Sequence, residues 1–489
     1  MNDVHLINII PGTGTQDIKH PPLGLLYVGT SLKKEGYGVV IHQILPQDIM
    51  SLADEVLKDH PLLIGFSVTT GLSSYYSATM SKLLKSRDST TRIVWGGWHP
   101  SLTPNQCLSE DYIDIVCIGE GEKTLLAVAN ALEADKKLDE VRSIGFKSQG
   151  KATITSPRAF EENVDVFDLD YDLLDFRKFT IRKNDMLTTS FYTSRGCPFN
   201  CGFCCTPKMF MRKWRSHSPE YVVSHLIELK SRFGVNDIYF ADDNFFVDQK
   251  RAFAIIKGLR EAGISCSTVD VRVDFINREM LEQLVRFGAT GVFFGWESGS
   301  DRLLRLMHKN ITVEQILSCS RLMSEYPLSV WGSGILCLPT ETQTEFYSTL
   351  KFALRLFKMI PRGTISLFPY MPLPGTEFLD LAVKNGFRVP ENPMEWARVD
   401  PQGPFYDITW IPWVRADSSR KHRIRMTQEF MRNVLAKTDS STNPLFSTIQ
   451  TFFNKIAYYR VDNQNFLLPI DLKLYHMFRR CWQAARAHF

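Results

Sequence analysis

Two series of short apolar runs, interspersed with helical stretches, constrain this chain more than any other feature. Residues 1–150 hold the first series. The strand "VHLINIIP" is followed by the loop "GTGTQDIKHPPLG" and the helical "LLYVGTSLKKEG". Then come the strands "YGVVIHQI" and "PLLIGFSV", the helix "SSYYSATMSKLLKSR", and the strands "TRIVWGG" and "IDIVCIGEG". Strands separated by helices of this length imply a parallel sheet with right-handed crossovers, a Rossmann-like doubly wound α/β domain. Ligands of such sheets lie beyond the carboxyl ends of the strands. The loops there are Gly12–Gly14, Ser67–Gly71, Gly96–Thr103 and Gly119–Gly121. Gly12–Gly14 is too short for a dinucleotide fingerprint.

The second series occupies residues 188–400, after an acidic, aromatic connector at 151–187 that contains "FDLDYDLLDF". It runs from "LTTSFYTSRG" through "DIYFADDNFF", "ISCSTVDVRVD", "ATGVFFGWESGS" and "LSVWGSGILCLP" to "GTISLFPYMPLPGT". Six strand–helix repeats of this kind fit a closed or partial (β/α)6 barrel of the TIM type, with chemistry at the strand carboxyl ends. Residues 401–489 read as a mostly helical C-terminal region, with helical patterns at Arg420–Lys437 and Leu472–Phe489. In the last, Leu474, Phe478, Trp482, Ala485 and Phe489 form one apolar stripe, with Arg479, Arg480 and Arg486 outside it.

At 489 residues the chain is long enough for two or three domains. Its formal charge of +4 is unevenly placed. From Pro401 onward there are 13 Lys and Arg against 6 Asp and Glu. A basic tail of that kind can meet an anionic substrate, a membrane surface or nucleic acid, or simply be a solvated face. No recognised RNA-binding module accompanies it, so nucleic acid is not expected, while peripheral membrane contact stays open. No apolar run reaches the length of a membrane span, and the N-terminus reads as a strand rather than a secretory signal. The ten cysteines are mostly solitary within apolar segments, the pattern of buried thiols in a reducing, cytoplasmic setting rather than of a disulfide framework.

Four cysteines depart from that pattern. "TSRGCPFNCGFCC" places Cys197, Cys201 and Cys204 in a C-x3-C-x2-C array just after the first strand of the second series, with Cys205 adjoining. A structural zinc site needs four ligands, for which His217 or Cys205 is the nearest candidate. A thioredoxin-like pair has no use for Cys197. A [4Fe–4S] cluster held by three thiolates would leave one iron open to coordinate a small molecule.

The array, with Phe203 before its last cysteine, resembles the radical S-adenosylmethionine superfamily. That resemblance makes Cys197, Cys201 and Cys204 the ligands of a [4Fe–4S] cluster and Cys205 a bystander. It implies that the open iron chelates S-adenosylmethionine, whose reductive cleavage gives a 5′-deoxyadenosyl radical. Further segments are similar in order. "YFADDNFF" would bring Asp242, Asp243 and Asn244 near the methionine group; "GWESGSD" would turn Glu297 and Ser298 toward its ribose or carboxylate. "GSGILCLPTET" would set Gly334 beside the adenine. "HPPLGLLYVGTSLKKEGYGVVIHQ", "WGGWHPSLTP" and "CIGEGE" resemble the cobalamin-binding domain that precedes the barrel in one branch. There Ser67, Thr69, Thr70, Gly96, Gly97, His99, Gly119 and Glu120 become candidate cobalamin contacts. The better-known motif D-x-H-x-x-G, whose His ligates cobalt, is absent, because Asp17 and His20 have the wrong spacing. His99 is then a loop-shaping residue, and cobalamin without a protein histidine on cobalt is expected.

The resemblance implies an enzyme, a cobalamin-dependent methyltransferase acting on an unactivated carbon, supplied by methylcobalamin and the adenosyl radical. Its partners would be a small-molecule substrate, with a large hydrophobic or anionic molecule such as a lipid or tetrapyrrole as one candidate, and a one-electron reductant such as flavodoxin or ferredoxin. The rival within the branch is the oxidative ring cyclase of the anaerobic Mg-protoporphyrin monomethyl ester type. A methylthiotransferase would need three more cluster cysteines in the N-terminal domain, where only Cys107 and Cys117 occur. A cobalamin- or redox-sensing binding protein is the alternative from another class.

Overall fold

The computed structural model describes residues 3–12, 20–148, 150–183, 185–401, 403–406, 410–415, 436–437, 444–463, 474 and 477–478. It divides into two compact units. The first comprises Met1–Cys266, Met371–Asp380 and Arg388–Asp407, and the second Ser267–Tyr370, Leu381–Phe387 and Ile408–Phe489.

In the first unit the strands β1 (Asp3–Ile9), β2 (Gly38–Ile44), β3 (Leu63–Ser67), β4 (Ile93–Gly96), β5 (Ile115–Cys117), β6 (Ile144–Ser148) and β7 (Lys151–Ile154) form one sheet. Their order is β2-β1-β3-β4-β5-β6-β7. The first five are parallel, as the alternation of strands and helices requires. Each face carries its own core. Val4 and Leu6 pack with Leu25, Leu32, Leu125 and Val128 from the helices Leu23–Lys34 and Glu122–Glu133. Ile7 and Ile9 pack with Leu52, Val56, Ala78 and Leu84 from the helices Ile49–Lys58 and Leu72–Arg87. Side chains of a strand alternate between faces, so a run apolar throughout is the mark of a strand covered on both sides. Each such fully buried side chain contributes roughly 1.5–3 kcal/mol. The chain reverses direction across the sheet between β1 and β3, which opens a crevice at their carboxyl ends.

The sheet continues beyond the parallel series. β6 and β7 add as an antiparallel hairpin, so the start of the stretch read as connector is a strand. Gly150, at φ +75°, sits in the turn. The rest of 151–187 is largely irregular, with single 3-10 turns at Val164–Val166, Tyr171–Leu173 and Phe176–Phe179. Its acidic residues tie it to the first helix, Asp170 to Lys33 at 2.6 Å and Asp168 to Lys34 at 3.0 Å. Three further strands of this unit, β8 (Ile181–Lys183), β9 (Met186–Phe191) and β12 (Asp237–Phe240), lie in the order β12-β9-β8. β9 and β12 are parallel, linked through the helix Pro219–Phe233, whose N-cap Ser218 accepts from Tyr221 N. Between them, β10 (Ser194–Arg195) and β11 (Arg215–Ser216) make a two-residue antiparallel ribbon.

The second unit carries β14 (Gly291–Glu297), β15 (Ser329–Leu336) and β16 (Gly363–Pro369) in parallel, with β13 (Ser265–Asp270), within which the unit begins, pairing parallel to β14. Capping boxes start its helices Val313–Ser324 (Thr312 with Gln315) and Gln343–Met359 (Thr342 with Glu345). The strand–helix repeats expected of a partial barrel are therefore present. The C-terminal region contains a helix, as expected, but the end of one anticipated helix needs correction. β17 (Ala436–Lys437), the end of the anticipated helix, instead pairs antiparallel with Thr364 and Gly363 of β16, satisfying backbone groups on the edge of that strand. Residues 420–435 of that anticipated helix lie outside the described residues, as does most of Leu472–Phe489. A helix that the sequence pattern did not suggest spans Pro444–Asp462, with Pro at its first position. Among the described residues no helix is long and apolar enough to cross a membrane.

Candidate active site

The cysteine loop is held at both ends by the two aspartates that follow β12. Asp243 accepts from Gly196 N at 3.0 Å and from Thr206 Oγ1 at 3.0 Å, so one carboxylate clasps the residues just before Cys197 and just after Cys205. Asp242 is buried and accepts from Thr193 N at 3.1 Å, Thr193 Oγ1 at 2.9 Å and the Ser194 hydroxyl. Burial pushes its carboxyl up to about 6 against these hydrogen bonds. Gly196 is in the left-handed region at φ +83°, and a Cβ there would lie 2.2 Å from Lys213 O. Only glycine fits.

Within the loop, Cys204 N donates to Cys201 O at 3.0 Å, closing a turn. Burial raises the Cys197 thiol, the Cys204 thiol to about 11 and the Cys205 thiol to about 12, so metal binding must displace protons there. Asn244 Nδ2 is buried without a hydrogen-bond partner and lies close enough to the Cys197 thiol to bias it toward the thiolate. A cavity of about 340 Å³ opens beside Cys201 and Cys204, with Gly375 and Thr376 on its rim. Among the described residues no three Cys, His, Asp or Glu side chains converge on one point. A cubane does not ask for convergence, because each thiolate takes a different iron. Three soft donors carried by one clasped loop, with an open space against two of them, fit such a cluster.

Arg195, next to Gly196, reaches the loop after β5. Its guanidinium contacts Glu120 at 3.1 Å and Glu122 at 2.6 Å, and lies 4.9 Å from the ring centres of both Tyr27 and Phe167. Arg215 adds a second contact to Glu120 at 2.7 Å. All four charged side chains are largely buried, so removing any one would leave a partner charge stranded.

The crevice at the carboxyl ends of β1, β3 and β4 is a cleft of about 130 Å³. Its glycines are Gly24, Gly65, Gly96, Gly97 and Gly121, its walls include Leu6, Val28 and Leu125, and Ser67 supplies a hydroxyl. A Cβ on Gly65 would come within 2.9 Å of Leu6, and one on Gly121 within 2.8 Å of Val28. At Gly24 a Cβ would meet nothing within 4 Å. A narrow, glycine-floored, apolar cleft at this position is a cradle for a planar aromatic or edge-on group of a large ligand, and the residues fit cobalamin.

The sequence-derived cobalamin candidates separate into two groups. Ser67, Gly96 and Gly97 line the cleft. Thr69 N donates to Ser73 Oγ, and Thr70 Oγ1 is 3.1 Å from His99 Nδ1. His99 is fully buried, its other ring nitrogen faces Thr103 Oγ1 at 3.4 Å, and burial lowers its pKa to about 3. Both ring nitrogens thus face hydroxyls of the surrounding loop. Gly119 faces a neighbouring cavity, and Glu120 is engaged by the two arginines. His20 Nδ1 lies 3.2 Å from Ser190 Oγ; Asp17 and Gly14 lie outside the described residues.

In the second unit Glu297, at the end of β14, adopts φ +55° beside a register shift and pairs with Lys309 at 2.8 Å, both largely buried. A non-glycine residue held there at a strand end is the kind of outlier found at functional sites. Ser298 Oγ is 3.2 Å from Thr349 Oγ1. Gly334 makes room for the Trp296 indole, which a Cβ would approach to 2.4 Å.

Two family descriptions match this chain: the radical SAM superfamily over residues 191–353 and the B12 binding domain over residues 13–129. An uncharacterized methyltransferase of Pyrococcus horikoshii is 32% identical, over 78% of this chain and 82% of its own length. The chain belongs to the cobalamin-binding radical S-adenosylmethionine family. Its cofactors are accordingly a [4Fe–4S] cluster, S-adenosylmethionine and cobalamin. An anaerobic magnesium-protoporphyrin IX monomethyl ester cyclase of Cereibacter sphaeroides is 25% identical, over 68% of this chain and 56% of the cyclase. The fold is also that of the cobalamin-dependent S-adenosylmethionine radical enzyme OxsB with aqua-cobalamin and S-adenosylmethionine bound. That likeness has a TM-score of 0.71 at 19% identity, covering 98% of this chain and 75% of OxsB. In this radical S-adenosylmethionine protein, sequence reading placed Gly121 in a ligand-facing loop without naming it a contact, and missed Gly24 and Gly65 of the cleft and the pairing of Arg195 with Glu120 and Glu122. The glycines stood in the quoted segments "PPLGLL", "LIGFS" and "GEGE"; Gly65 and Gly121 mark close approach, whereas Gly24, in the first turn of a helix, faces open space. Arg195 stood inside the cysteine motif with nothing to name a partner 75 residues away.

Proposed function

We propose that this chain methylates an unactivated carbon of a small-molecule substrate. The observation that carries the proposal is that a methyltransferase is the relative with the stated 32% identity over most of both chains, against 25% for the cyclase. Together the bound groups would supply a methyl donor and a hydrogen-abstracting radical. The chain's own residues would position them. Cys197, Cys201 and Cys204 would hold the cluster, leaving one iron for S-adenosylmethionine. Asp242 and Asp243 would keep the loop in place, while Asn244 would act on the Cys197 ligand. Glu297, Ser298 and Gly334 are the proposed S-adenosylmethionine contacts of the second unit. Ser67, Gly96 and Gly97, with Gly24, Gly65 and Gly121, would hold cobalamin. A cytoplasmic one-electron reductant of the flavodoxin or ferredoxin type would start each turnover.

The test is turnover with methyl-labelled S-adenosylmethionine under anaerobic, reducing conditions on the substrate suggested by the neighbouring genes. The expected product carries the labelled methyl group. A product without label that has gained an oxygen would replace this reading with oxidative cyclisation.

A further inference from the structure

The helix Glu122–Glu133 borders a second cavity, distinct from the glycine cleft, of about 250 Å³. Thr124, Ser143, Arg158 and Lys208 are among its lining residues. The helix is 12 residues long and its N-cap, Gly121, provides no side-chain cap. The backbone bond from Leu125 N to Gly121 O, at 2.8 Å, begins the helical ladder, leaving the amides of the first turn without helical acceptors. That end carries a partial positive charge and favours anions.

Two side chains make this more than a helix end. Thr124 is 0% exposed, and its Oγ1 has no hydrogen-bond partner although it lines the cavity. Arg158 Nε is likewise buried without a partner, while its backbone N is fixed by Ser143 Oγ at 2.7 Å. A buried hydroxyl or guanidinium nitrogen left unbonded forfeits its hydration with nothing in return, so each asks for an acceptor. The carboxylates at the cavity are already engaged. Glu120 lies between Arg195 and Arg215, Glu122 meets Arg195, and Glu161 meets Lys123 at 2.6 Å. Among the described residues Arg158 and Lys208 take part in no ion pair, so the cavity has donors and positive charge in excess.

We propose that this cavity binds a phosphoryl group, with the first-turn amides of the Glu122–Glu133 helix, Thr124 Oγ1 and Arg158 Nε as its donors. Two sources share that chemistry: a phosphate or phosphonate on the substrate, and the phosphodiester in the nucleotide arm of cobalamin. The inference does not depend on methyl transfer, so failure of either leaves the other standing.

The test is calorimetric titration of inorganic phosphate into the full-length, cluster-reconstituted protein. It is run once loaded with hydroxocobalamin and once with cobinamide, which has the corrin but no phosphodiester arm. Thr124→Val and Arg158→Gln are titrated in parallel, with the unfolding midpoint as a control. Should Thr124→Val fail to fold, Arg158→Gln decides. Saturable phosphate binding to both loaded forms, weakened about tenfold in each folded variant, supports a site for the substrate's phosphoryl group. Binding only to the cobinamide form, with the same losses, supports the cofactor's phosphodiester as the occupant. No saturable binding in either form, or binding that the variants leave unchanged, overturns the proposal.

Discussion

At the scale of single residues, the four clustered cysteines are not equivalent. Cys197, Cys201 and Cys204 stand in the family array, and Cys201 and Cys204 face open space. Cys205 immediately precedes the helical turn Thr206–Met209, its carbonyl accepting from Lys208 N at 3.0 Å, and burial holds its thiol protonated. Cys201→Ala should therefore abolish cluster assembly, whereas Cys205→Ala should retain about four irons per chain. Iron and sulfide analysis with absorbance spectroscopy after anaerobic reconstitution checks this; an iron-free Cys205→Ala protein would make that residue a ligand. In the sequence, the resemblance of their array to the radical S-adenosylmethionine superfamily singled out these three. What spacing could not show is how Asp242 and Asp243 are used. Read in sequence as candidate S-adenosylmethionine contacts, they spend hydrogen bonds on Thr193, Ser194, Gly196 and Thr206. A carboxylate's hydrogen-bond partners depend on which loop folds over it, and that loop begins 49 residues earlier.

Among elements, the doubly wound sheet was legible because each of its parallel strands is a short apolar run and each crossover a helix. The β6–β7 hairpin escaped because Lys151–Ile154 is exposed for most of its length and carries no apolar period. The C-terminal strand β17 escaped because two residues pairing with an existing edge leave no pattern. The cleft followed from the position of the strand ends, with Gly96 and Gly97 among its candidate contacts, yet Gly24 and Gly65, inside a helix and a strand, carried no such signal. One of them gives a direct test. Gly24 lies in the first turn of the helix Leu23–Lys34, where a side chain would enter open space. Gly24→Leu should gain up to about 1 kcal/mol of helix propensity. It should also weaken hydroxocobalamin binding by about tenfold or more, roughly 1.4 kcal/mol, by filling the cleft. Equilibrium dialysis decides; a stable variant with undiminished affinity would remove the cleft from the cobalamin site.

For the molecule as a whole, the first unit joins the cysteine loop to the loop after β5 through Arg195, Glu120 and Glu122. That network couples the element expected to hold the cluster to the sheet expected to hold cobalamin. The central claim is that the methyl group of S-adenosylmethionine passes through cobalamin on this chain. The most direct measurement needs no substrate. The reconstituted enzyme, loaded with reduced cobalamin, is incubated anaerobically with methyl-deuterated S-adenosylmethionine, and the released cobalamin is analysed by mass spectrometry. The account predicts that the deuterated methyl group is recovered on cobalamin. Label-free cobalamin, accompanied by continued release of 5′-deoxyadenosine, would contradict it.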